Sequence, residues 1–431
     1  MLHLGAAALI VSAFGLTTAH VSAASHANAG TTPPKLKRGI TLTIWDGLED
    51  VERPIEQQVA NQWAKATGNT VKIQTTADNK GKMCVSAPTG NGADIVGTPH
   101  DQVSYMQSCG VLAPIPAWAW SPTAKKTYIP AALKATTLAG HTYAMPWAIE
   151  TTGMFYNKSL IPASDFKPAA GQKYLTWSVL IPRLKKAAAS KGVGPFGWDP
   201  PNFYYDYAFI SAYGGYVFKY SAKSGYDWKQ IGLDTSAAVK GITFIGKLSN
   251  HGSFNLISDS MSGTVGDGLF SKGQELVDWT GPWNEGNFTK ANITFGFAPL
   301  PAVDSTHPMH PFSTIQVYSL NKYSKHPNEA ASLLSYLTTH MQIPIFKLSG
   351  RIPVIKSLLS SKSVQKDPVS AGLAKAALSA QPIPNIPEMS QVWTPAGNAI
   401  GLVFKGQAAP SAAAATMTTQ IKAAIAKEHS G

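Results

Sequence analysis

Residues 39–73 read GITLTIWDGLEDVERPIEQQVANQWAKATGNTVKI, and this stretch decides the expected fold. Ile40, Leu42 and Ile44 alternate, the period of a strand with one buried face. In residues 52–67 the apolar residues Ile55, Val59 and Trp63 recur at every fourth position, the period of an amphipathic helix. Pro54 suits the first turn of that helix and Gly68 its stop. Residues 70–73 make the next strand, so strand, helix and strand form a βαβ unit. Residues 94–97 resemble a third strand, ending on a loop that carries His100 and Asp101.

The pattern restarts beyond residue 150. Helices are expected over residues 177–191 and 234–248, the second with Asp234 at its N-cap. Ile293, Phe295 and Phe297 alternate as a strand, whereas Ala330, Leu333, Leu334, Leu337 and Met341 keep helical spacing. An Ala-rich stretch, residues 408–415, leads into a final helix near residues 416–427. Alternating strands and helices argue for the α/β class, and 431 residues exceed what one core serves, so two domains are expected.

Hydrophobic content of 44% and aromatic content of 10% indicate a globular chain. Only 14% of residues are charged, with 36 Lys+Arg against 24 Asp+Glu and a net charge of +12. The positives stand singly or in pairs such as Lys125-Lys126 and form no nucleic-acid signature, so no nucleic-acid partner is expected. Carboxylates lose their charge below roughly pH 4, so a chain with few of them suits an acidic external medium.

Residues 4–16 are an apolar run too short to span a bilayer and read as the core of a signal peptide, although no basic residue precedes them. A signal peptide over residues 1–23 and a flexible tether over 24–38 are expected, placing the protein in the periplasm or at the cell surface, with no further membrane segment. Cys84 and Cys109 would both survive cleavage. They read either as a disulfide, contributing about 3 kcal/mol, or as two buried free thiols.

Four segments deliver large aromatics beside a carboxylate or amide: residues 146–150 (PWAIE), 202–207 (NFYYDY), 279–284 (WTGPWN) and 383–393 (IPNIPEMSQVW). Ring faces meet the C–H faces of pyranoses and acidic side chains accept from hydroxyls, so these residue types suit a sugar-binding cleft assembled from distant segments. The rival reading is a glycosidase, with Asp101 and Glu150 as the paired carboxylates. No nucleophile elbow, zincin motif or P-loop is present, and neither metal nor cofactor is expected. In His307-Pro308-Met309-His310-Pro311 the prolines bar helical metal-ligand spacing.

The blocks at residues 155–158 (FYNK), 214–220 (GGYVFKY), 281–283 (GPW) and 384–390 (PNIPEMS) with Trp393 resemble, in order, the maltose/maltodextrin-binding proteins, the extracytoplasmic receptors of ABC sugar importers. The likeness runs from about Leu42 to the C-terminus. It implies a type II periplasmic-binding-protein-like fold: two lobes, each a central β-sheet flanked by helices, joined by a multi-segment hinge. The first lobe would comprise residues 39–148 and 318–362 and the second 153–312 and 369–431, with crossovers at 147–153, 312–318 and 362–369. The resemblance places Trp283, Trp393 and Tyr204 on sugar-stacking platforms, and Asp101 and Glu150 on sugar hydroxyls. Glu49 and Asp50 compete for a further acidic contact. Two ionisable family contacts are amides here, Gln102 and Asn202; a family Trp is Thr98 and a family Arg is Gly397. The implied protein is a monomeric, non-enzymatic receptor for maltodextrin-type oligosaccharides that hands them to an ABC permease and meets the membrane only through it. The same fold serving another sugar or a non-sugar solute is the alternative.

Overall fold

A computed structural model describes residues 32–430 except Ala222, so the expected signal peptide and the start of the tether lie outside the described residues. The opening βαβ unit is present. Strand Thr41–Asp46 pairs in parallel with Thr70–Thr75 and, on its other side, with Ile95–Pro99. Helix Arg53–Thr67 connects the first two, carrying Pro54 in its first turn and ending at Gly68 in the left-handed conformation (φ 72°). Its buried stripe differs from the expected one. Glu56 is buried while Ile55 is only half-buried, because the Tyr318 hydroxyl donates to the Glu56 carboxyl from the neighbouring sheet.

The large sheet runs Ile352–Pro353, Ala144–Thr151, Phe312–Asn321, Ile95–Pro99, Thr41–Asp46, Thr70–Thr75. Ala144–Thr151 and Phe312–Asn321 are its long antiparallel members, with Glu150 opposite Thr314 and Ala148 opposite Gln316. Only Thr152 separates the first of these from Gly153–Asn157, the middle strand of a second sheet flanked by Val277–Thr280 and Phe295–Ala298. Alternation along this middle strand joins two cores. Phe155 packs with the first, while Met154 and Tyr156 pack with the second.

The first core gathers residues 42–149 and 315–377, and the second gathers most of residues 154–312 and everything from Ile383 onward. Phe270 and Phe288 join Phe155 at the seam, in the first cluster. Helix Pro368–Ser379 belongs with the first core through Val369, Leu373, Ala374 and Ala377. After it, Gln381–Pro382 pairs in parallel with Phe312–Ser313. The helix lies on the seam, touching strand Ala144–Thr151 and strand Phe295–Ala298 alike, with Gly372 against the Phe297 ring.

Two local expectations are also corrected. Thr235, not Asp234, caps helix Ser236–Leu248, its hydroxyl accepting from Ala238 N at 3.3 Å. The Ala-rich stretch is itself helical, within Pro410–Ser430, as the high helix propensity of alanine favours. Cys84 and Cys109 are bonded, Cα atoms 5.6 Å apart, tying helix Asn79–Ser86 to the end of helix Asp101–Ser108. No described helix is long and apolar enough to cross a membrane.

Candidate functional site

Between the two cores lies a cleft of about 360 Å³. Thr314 and Gln316, alternate residues of one crossing strand, form its floor with Glu150, Arg351 and Ile383. Gly47, Glu49, Lys80, Pro99, Asp101 and Gln102 line the first-lobe side, and Tyr204, Trp283 and Trp393 the second.

Local backbone explains how the aromatics reach the cleft. Trp283 sits in the single turn Pro282–Asn284 after strand Val277–Thr280; any side chain at Gly281 would collide with the indole, so glycine lets the ring fold back over the turn. Trp393 opens helix Trp393–Phe404 directly after the Pro387–Gln391 turn, and edge contacts with Phe203 (6.1 Å between centroids) and Phe312 (6.0 Å) fix its indole. Tyr204 lies in the first turn of helix Phe203–Ala212, its ring 6.3 Å from that of Trp283, and its hydroxyl accepts from Thr314 Oγ1 at 3.1 Å. All three rings are part-exposed. Tyr205 and Tyr207, by contrast, are buried in the second core.

The floor is held by a buried ionic triad. Arg351 donates to Glu52 through Nε (2.6 Å) and Nη2 (3.0 Å), and to Glu150 through Nη1. Glu150 also accepts from Gln316 Nε2 at 2.6 Å. Burial raises the Glu150 pKa, with Arg351 and Gln316 opposing it. Burial works against the Arg351 cation, but attraction from Glu150 and Glu52 outweighs it, so that pKa is raised too. His100 braces the floor from behind: Nδ1 accepts from Ile315 N, leaving Nε2 to donate to Ile383 O, each at 3.2 Å, and burial pushes its pKa down to about 4.

Asp101 begins helix Asp101–Ser108 and is 7% exposed. Burial pushes its pKa up to about 6, against the pull of its own backbone N–H, of Lys80 and of the Trp393 indole from the opposite lobe. Glu49 is raised as well, by burial first, with Arg351 the main opposing group.

Of the residues singled out from sequence, Trp283, Trp393, Tyr204, Glu150, Asp101, Gln102 and Glu49 line this one cleft. Asp50 does not: its side chain is 91% exposed and pairs with Arg53, which turns it away. Nor does Asn202. Its amide caps the 203–212 helix by accepting from Tyr204 N (3.1 Å) and donates to Asp199 (3.0 Å), facing a separate outer hollow behind Trp393. Thr98 is buried. Gly397 packs against the Pro201 carbonyl with no room for a side chain, which explains why no arginine stands there. Sequence reading missed Arg351, Gln316, Thr314 and Lys80. Arg351 directly follows Gly350, the left-handed stop (φ 70°) of helix Gln342–Ser349, but nothing local points it at partners about 200 and 300 positions away. The described residues contain no group of three or more His, Cys, Asp or Glu arranged to hold a metal.

Two α/β lobes joined by crossing strands, with an aromatic-walled cleft between them, define a two-lobed solute-binding protein. Residues 48–343 match the bacterial extracellular solute-binding proteins, and the chain belongs to that family. It is 28% identical over 402 residues to the galactooligosaccharide-binding protein of Bacillus subtilis (strain 168), covering 91% of each chain. It is 26% identical to the maltotriose-binding protein of Pyrococcus abyssi (strain GE5 / Orsay), covering 84% of this chain and 77% of that one. Among solved structures, the Thermus thermophilus maltotriose-binding protein bound with maltotriose superposes with a TM-score of 0.81 at 30% identity, covering 89% of this chain and all (100%) of that one. The maltose-maltodextrin-binding protein of Alicyclobacillus acidocaldarius gives 0.79 at 30% identity, with the same coverage.

Proposed function

We propose that the mature protein is an exported, monomeric receptor that binds maltodextrin-type oligosaccharides between its lobes and delivers them to an ABC permease. The observation that carries this reading is the convergence of Tyr204, Trp283 and Trp393 with Asp101, Glu49 and Gln102 on one cavity. Ring faces would stack on pyranoses while carboxylates and the amide meet hydroxyls. The hinge comprises residues 147–153, 312–318 and 362–369. Sugar touching both lobes binds the closed form better than the open one and shifts the population toward closure, which presents both lobes to the permease in register. A few stacked rings with charge-assisted hydrogen bonds support micromolar affinity, about −8 kcal/mol. Binding needs no covalent step, and the site acts without catalysis.

Calorimetry with glucose, maltose, maltotriose, trehalose, cellobiose and a β-galactooligosaccharide tests the reading. Saturable binding strongest for maltotriose, with the sugar recovered intact, is expected. Preference for the galactooligosaccharide would keep the receptor and replace its ligand. Shortened products would make the protein a hydrolase, and no binding of any sugar would sink the proposal.

A further inference from the structure

The second lobe buries carboxyl groups that the cleft does not use. Residues 194–197 run parallel to 274–279, with Gly197 N donating to Val277 O (2.8 Å) and Trp279 N to Gly197 O (2.9 Å). At Gly197 a Cβ would lie 2.5 Å from Glu275 Oε2 and 2.8 Å from Asp278 Oδ1, so two acids occupy the place of one methyl group. Gly266, on helix Gly263–Ser271, makes room on the other side, 3.1 Å from Asp278 Oδ1 by the same measure. The next residue, Asp267, is half-buried, and its carboxyl bears on that of Asp278. Glu275 and Asp278 are 1% exposed, and Glu275 Oε2 and Asp278 Oδ2 lack a partner.

The charged and titratable groups that face this cluster are Asp199, the Tyr205 phenol and Glu49 of the first lobe. Among the described residues no Lys, Arg or His pairs with Asp267, Glu275 or Asp278. Carboxylates buried without a counter-charge cannot remain ionised at an acceptable cost, and two in one small space cannot both ionise.

We propose that Asp267, Glu275 and Asp278 form a proton-held cluster, so that the second lobe and the aromatic wall it carries are firmest in an acidic medium and loosen as the protons leave. Asp278 lies on the strand that runs into the Trp283 turn, and Tyr205 adjoins Tyr204. Burial first, reinforced by neighbouring acids, pushes Glu275 up to about 8 and Asp278 well above the carboxylate range. In acid, folded and unfolded chains hold these protons alike. As pH rises past the ordinary carboxylate range the unfolded chain releases them while the folded chain keeps them, so stability falls until the folded groups ionise too. The effect on ligand rests on the sugar-receptor reading; the effect on stability does not.

The test is the urea midpoint of the mature chain between pH 4 and 9, for wild type and Asp278→Asn, whose amide is neutral throughout. The wild-type midpoint should fall steadily from about pH 4.5 to about 8, and the variant should fall measurably less. A wild-type midpoint that is flat or rising over this range overturns the proposal, as does a variant that falls as steeply. Should the variant not fold, infrared spectra of the wild type decide: a protonated-carboxyl C=O band persisting at pH 7 supports the cluster and its absence overturns it. Sugar titrations at the same pH values separate the two readings, because a pH-dependent midpoint with no sugar bound at any pH removes the receptor and leaves the cluster.

Discussion

Arg351 and Glu52 are joined side by side, Nε to Oε1 at 2.6 Å and Nη2 to Oε2 at 3.0 Å, and the remaining guanidinium nitrogen, Nη1, reaches Glu150 on the crossing strand. The fork geometry lets one cation neutralise two acids that burial would otherwise leave exposed to each other. Arg351→Met leaves both carboxylates unpaired and should cost about 3–5 kcal/mol of stability, as breaking buried ion pairs does. Arg351→Lys should recover only part of it, since an ammonium cannot span both carboxylates. Equal urea midpoints for wild type and Arg351→Met would show that the triad does not hold the floor.

Trp393 is braced by Phe203 and Phe312 yet part-exposed to the cleft. Trp393→Ala should weaken maltotriose binding at least tenfold, about 1.4 kcal/mol, without unfolding the protein. Unaltered calorimetric affinity would remove this residue from the site.

The Asp101 carboxyl has a pKa of about 6 because burial outweighs Lys80 and the Trp393 indole. Its contribution is fully present below the pKa of an unfolded aspartate and lost as pH rises through about 6. Asp101→Asn should therefore gain stability over wild type between pH 4 and pH 7, by about 2–3 kcal/mol. Parallel denaturation curves at both pH values check this, and a constant difference between the two proteins counts against it.

Lys134 of the first lobe donates to the Tyr220 hydroxyl of the second at 2.7 Å and lies over the same ring. Tyr220→Phe keeps the ring and removes the bond, worth about 0.5–1.5 kcal/mol. The unliganded protein should open more often and bind sugar a few-fold more weakly. Small-angle scattering of the free protein, with an unchanged radius of gyration as the contrary result, is the measurement.

Much of the fold was legible because its signals are local. The period of Ile40, Leu42 and Ile44, the proline at position 54 and the glycine at 68 specify strand, helix start and helix stop within a few residues of themselves. The cleft residues Trp283, Trp393, Tyr204, Asp101, Glu150, Gln102 and Glu49 were reached because their blocks keep the family order, even though composition alone would have allowed Tyr205 or Tyr207 equally well. Where two neighbours competed, sequence could not decide. Arg53 draws Asp50 outward, and Glu49 is the one that lines the cleft.

What the chain determined by itself, then, is its elements, its class and the residue types that a sugar cleft needs, since these follow from periodicity and side-chain chemistry. The tertiary structure decided which distant groups meet. Glu52 and Arg351 are separated by 299 positions, and Lys134 and Tyr220, which meet across the lobes, by 86. Such pairings depend on how two folded surfaces pack, and no local preference along the chain encodes that distance.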